Sequence, residues 1–63
     1  MAKTVTITMK RGPEETFLNI TEIQEDKHYE HVIGLRLYED GQLRAKFDYA
    51  EILHVKVTEQ PDD

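Results

Sequence analysis

The chain has 63 residues, with thirteen Asp and Glu against eight Lys and Arg for a net charge of −5, and it contains no Cys, Trp or Ser. That length bounds it to one domain over 1–63, burying only about 60% of the surface its unfolded form exposes, and without Cys neither a disulfide framework nor a thiolate zinc site can support so small a core. The acidic balance argues against a general nucleic-acid binder, since affinity for phosphate backbones comes from cationic surface.

The opening MAKTVTITMK alternates without an apolar run, so it reads as neither a signal peptide nor a membrane span. The cytoplasm is the expected location. Lys3 to Met9 forms a first strand with Val5, Ile7 and Met9 on one face and Thr4, Thr6 and Thr8 on the other. Gly12 and Pro13 in KRGPEE end it.

A second strand runs from Thr16 to about Glu25 with Leu18 and Ile20 inward, but Glu22 then falls where an apolar residue is due. A β-bulge near Thr21 or Glu22 would absorb the extra residue before Ile23. EDKHYE reads as a polar loop. His31 to Tyr38 is the third strand, with Ile33, Leu35 and Leu37 inward and Gly34, Arg36 and Tyr38 outward.

For the next hairpin, a two-residue Asp40-Gly41 loop mixes apolar and charged residues on each face. A three-residue loop with Gly41 in the left-handed conformation instead sets Leu37 against Leu43, Leu35 against Ala45 and Ile33 against Phe47. That register also puts Arg36 directly opposite Arg44. Asp48 and Glu51 suit a capping box on one short helical turn, after which Leu53, Val55 and Val57 point inward from a last strand, and 58–63 reads as a frayed acidic tail.

The predicted core is therefore Val5, Ile7, Leu18, Ile20, Ile23, Ile33, Leu35, Leu37, Leu43, Ala45, Phe47, Leu53, Val55 and Val57. Five strands with one short helical turn before the last resemble the layout of small SH3-like barrels, and a strongly bent antiparallel sheet or an Sm-like barrel fits the same pattern. The acidic loop and paired aromatics by which SH3 domains hold proline-rich ligands have no match, so that activity is not implied.

No Cys or Ser nucleophile and no Gly-rich phosphate loop occurs, which argues against an enzyme, and no cofactor is expected. His28 and His31, with Glu25, Asp26 and Glu30 nearby, lack any fixed geometry for a metal, and none is expected there. The sharpest candidate is a cationic strand face of Arg36, Arg44 and Lys46, extended by His54 and Lys56, with Tyr38 and Tyr49 as aromatic neighbours. Opposed like charges cost stability, so the pair is either neutralised by a carboxylate such as Glu22, Glu39 or Glu51, or kept for an anionic partner.

The expected function is a small non-catalytic protein-interaction or regulatory module, such as an accessory protein of a bacterium or mobile element. Its expected partner is another protein with an anionic surface. Alternatives are a nucleic-acid-binding small barrel using the same basic face and a homodimeric structural protein, since association would supply stability that so short a chain lacks. No membrane partner is expected.

Overall fold

The computed structural model describes residues 2–60. Six strands, β1 (Lys3–Met9), β2 (Glu14–Ile20), β3 (Glu22–His28), β4 (His31–Glu39), β5 (Gln42–Asp48) and β6 (Ile52–Glu59), are interrupted by one 3-10 turn at Tyr49–Glu51. They form two antiparallel three-stranded sheets, ordered β2-β1-β6 and β3-β4-β5. The fold is all-β as the alternation implies. Among the described residues the strands do not close into a continuous barrel, and the strand count is six rather than five.

The extra strand arises at Thr21, where the predicted second strand divides between the two sheets. Thr21 donates its N–H to Tyr38 O (2.8 Å), its hydroxyl donates to the same carbonyl (3.3 Å) and accepts from Asp40 N–H (2.8 Å). The corner is thus tied to the end of β4 by three hydrogen bonds. A short polar β-branched residue can do this because its hydroxyl both donates and accepts.

Packed between the sheets are Val5, Ile7, Ile20, Leu35 and Leu37, joined by Ile52, with Met9, Phe17, Ile23, Ala45, Phe47 and Val55 half-buried around them. Phe17 and Phe47 meet edge to face across the interface, with centroids 5.9 Å apart, a geometry favoured by the ring quadrupoles. Five predicted core residues are instead exposed, four of them being Leu18, Ile33, Leu43 and Leu53. Val57, predicted inward, is 44% exposed.

Each of the four aliphatic exceptions sits at a register shift. Val5 pairs with Phe17 but Lys3 with Ile20, so Leu18 and Asn19 together oppose Thr4, and Asn19 takes the left-handed φ of 62° that Asn tolerates. The bulge lies here, not at Thr21 or Glu22. Ile33 is the extra residue between Gly34 and Val32, and Leu53 is extra between Ile52 and His54. On β5, Leu43 opposes Tyr38 while Arg44 is additional. A bulge reverses the parity of everything beyond it, which a strict period-two reading carries forward uncorrected.

The turns explain the rest. Asp40 and Gly41 form a two-residue loop between Glu39 and Gln42, with φ of 49° and 83°, the all-positive pattern of an Asp-Gly hairpin turn. The bulge at Leu43–Arg44 then restores the faces, so Leu37 pairs with Ala45, Leu35 with Phe47 and Arg36 with Lys46. Arg36 and Arg44 are not opposite one another. EDKHYE is no loop either: β3 continues to His28, which pairs with His31 around Tyr29-Glu30, and Tyr29 has φ 57°.

The 3-10 turn stands where a helical turn was expected, but Asp48 makes no side-chain capping bond, and the turn closes through Ile52 N–H to Tyr49 O. At the C-terminal end β6 continues through Glu59, and Gln60 donates its N–H to Ala2 O. Its side-chain oxygen accepts from Asn19 N–H at 2.6 Å, and its amide donates to Asn19 Oδ1 at 3.3 Å. The predicted tail therefore does not begin at Thr58, and its residues 61–63 lie outside the described residues. Among the described residues no helix is long and apolar enough to cross a membrane.

Candidate functional site on the outer face of β3, β4 and β5

β4 is the central strand of its sheet, and its alternation buries Leu35 and Leu37 while turning Gly34, Arg36 and Tyr38 to the other face. Arg36 is flanked by Gln24 on β3 and Lys46 on β5. Its Nη2 donates to Asp26 Oδ1 at 2.6 Å and its Nη1 to Tyr38 Oη at 3.0 Å. Its Cζ lies 6.0 Å from the centre of the Tyr38 ring, at the limit of useful cation–π attraction.

Gly34 makes this arrangement possible. A Cβ there would sit 3.2 Å from Asp26 Oδ2 and 3.3 Å from Phe47 O, so the missing side chain lets the Asp26 carboxylate lie over β4 and reach Arg36. The Asp26 hydrogen bond holds the guanidinium pKa above its ordinary value, opposed by partial desolvation, with the nearby Asp26 charge and the Tyr38 hydroxyl adding smaller support. Arg36 is therefore charged throughout the physiological pH range. Its Nε is buried without a hydrogen-bond partner.

Around this core the charges interleave. Gln24 donates to Glu22 at 2.5 Å, Asp48 stands opposite Gly34, and Arg44 is ion-paired with Glu39. Glu39 is one of the neutralising partners anticipated from the sequence, whereas Asp26 is not. Lys46 is exposed and makes no ion pair among the described residues. Asp26, Ile33, Gly34, Arg36, Lys46, Phe47 and Asp48 line an open cleft of about 360 Å³. Leu43, the partner of Tyr38, adds an exposed apolar side chain.

The predicted set thus divides. Arg36, Tyr38, Arg44 and Lys46 share the β4–β5 region of this face. His54 and Lys56 pair with Thr8 and Thr6 and belong to the outer face of the other sheet, and Tyr49 lies in the 3-10 turn, 44% exposed. The threonines there bond locally, Thr6 with Thr16 and Thr8 with Glu14. Asp26, Gly34, Asp48 and Leu43 are site residues that the alternation did not pick out. Reading Tyr29-Glu30 as a two-residue turn would have extended β3 and set Asp26 opposite Ile33, and only the extra residue at Ile33 moves it on to Gly34.

The face can offer hydrogen bonds, one uncommitted ammonium, an aromatic ring and an aliphatic side chain. The face carries mixed charge and is not uniformly cationic. No group of three His, Asp or Glu residues placed to hold a metal occurs among the described residues. Comparison with protein-family models, with curated proteins and with solved structures finds no match for the chain.

Proposed function

We propose that the chain is a small, non-catalytic protein-interaction module of the cytoplasm, an SH3-like β domain whose β3–β4–β5 face docks on another protein. The observation that carries this reading is the fixed Arg36 guanidinium, held by Asp26 and Tyr38 next to an uncommitted Lys46 and an exposed Leu43. Arg and Tyr dominate interface hot spots, and side chains already held in place lose little freedom on binding. The partner's surface presents carboxylates to Lys46 and Arg36, while the interleaved Asp26 and Asp48 reject a cationic partner and fix orientation.

A pull-down from the native source, with nuclease treatment in parallel and Lys46→Glu and Tyr38→Ala as bait controls, tests this. A protein recovered by the parent, kept after nuclease and lost with either variant is the expected result. Recovery that disappears on nuclease treatment, or sub-micromolar binding of oligonucleotides at about 0.15 M salt, would replace this reading with nucleic-acid binding.

A further inference from the structure

Each sheet has two edge strands, and three of the four are blunted. β2 carries Glu14, Glu15 and the left-handed Asn19, whose N–H is already taken by Gln60. β3 packs Glu22, Glu25, Asp26 and Lys27 into one short strand, and β5 bulges at Leu43–Arg44. Charges and bulges of this kind deter strand addition. β6 differs: its irregularity is confined to its start at Leu53, and from His54 to Glu59 its register against β1 is unbroken.

The apolar row of β6 is also incompletely covered. Val57 pairs with Val5, which is fully buried, yet Val57 itself is 44% exposed. The core therefore reaches the edge and stops there. On the other row His54 and Lys56 are exposed, and neither makes an ion pair among the described residues.

We infer that the β6 edge accepts an extended, acidic segment of a partner protein as an added strand, its apolar residues covering Val55 and Val57 and its carboxylates meeting Lys56 and His54. Backbone hydrogen bonds supply affinity in this mode, and alternate side chains supply selectivity. A second copy of this chain fits poorly. A two-fold pairing centred on Val55 sets Lys56 opposite His54 of the second copy, one centred on Lys56 opposes the two lysines, and one centred on Val57 puts Glu59 against Val55. This surface is distinct from the β3–β4–β5 face and does not depend on it.

The test uses the full, isotope-labelled chain and two synthetic eight-residue peptides, one alternating Val with Glu and one alternating Val with Lys. The Glu peptide should shift backbone amide resonances along His54–Glu59, and the Lys peptide should not. Lys56→Glu, an exposed substitution, should weaken the Glu peptide roughly two- to thirtyfold, as expected for reversing one cross-strand charge pair, and should favour the Lys peptide. Equal binding of the two peptides, or none, would overturn the inference. So would β6 shifts that appear with protein concentration alone and accompany a dimer in sedimentation. Shifts confined to Arg36, Tyr38 and Lys46 would end this inference while leaving the β3–β4–β5 reading in place.

Discussion

The outer faces of the two sheets handle charge in opposite ways. On β3–β4–β5 the ion pairs Arg36–Asp26 and Arg44–Glu39 form within the sheet itself, whereas the outer face of β2–β1–β6 is threonine-rich, with His54 and Lys56 left unpaired among the described residues. The strand with the most conspicuous cations is thus the more neutralised. On these two outer faces the cations without an ion pair among the described residues are Lys46 on the one and Lys56 on the other, at the β6 edge where the apolar row also opens to solvent.

Bulges decide which aliphatic side chains reach the core, and truncations measure that most directly. Leu37 is fully buried and Leu43 is 54% exposed on the neighbouring strand. Leu37→Ala should cost about 2–5 kcal/mol, a large share of a total stability of roughly 3–9 kcal/mol for a chain of this length, so its urea midpoint should fall far below that of the parent. Leu43→Ala should stay within about 0.5 kcal/mol of the parent in urea melts. Equal losses would mean that the β4–β5 register is not the one described.

The Asp40-Gly41 turn sets that register, and Gly41 is its sensitive point at φ 83°. Gly41→Val should cost about 1–3 kcal/mol, because a β-branched residue resists the left-handed region. A variant melting with the parent would remove the two-residue turn. At the corner between the sheets, Thr21→Val keeps the shape but deletes the hydroxyl shared by Tyr38 O and Asp40 N–H. Both partners are solvent-accessible enough to be rehydrated, so the expected loss is only about 0.5–1.5 kcal/mol, and a variant as stable as the parent would show that the backbone bond from Thr21 N–H holds the corner alone.

How far the sequence reveals this architecture follows from the same features. Strands β1, β4, β5 and β6 are legible because their apolar residues alternate over long enough runs, and Val5, Ile7, Leu35 and Leu37 follow from that parity. β3 is obscured because an exposed edge strand of acidic and amide residues has one apolar anchor, Ile23. The bulges are hidden because Leu18, Ile33, Leu43 and Leu53 are aliphatic, so composition gives no sign that parity has reversed. Two signals were available: Asn19 suits a left-handed position, and Asp40-Gly41 suits a two-residue turn. The candidate site inherits these gaps, since the slipped register aligns Arg44 with Arg36, and a strict alternation places Asp26 in a loop.

The two arginines give the smallest effects and the finest discrimination. Arg44–Glu39 is an exposed pair, with side chains 42% and 31% accessible, and such pairs contribute about 0.2–1 kcal/mol. With no opposed arginine, Arg44→Thr has no repulsion to relieve, so its urea midpoint should fall slightly at low salt and recover towards the parent at high salt, where screening removes the pair. A rise in the midpoint would restore the like-charge arrangement expected from alternation alone. Arg36→Thr acts differently, because it leaves the Asp26 carboxylate over Gly34 without its donor and frees the Tyr38 hydroxyl. Its midpoint should fall further than that of Arg44→Thr and keep part of the loss at high salt, since a lost hydrogen-bond geometry is not screened. If the two variants instead respond alike at every salt concentration, Arg36 is no more fixed in place than Arg44, and the pre-organised guanidinium on which the proposed docking face rests does not exist.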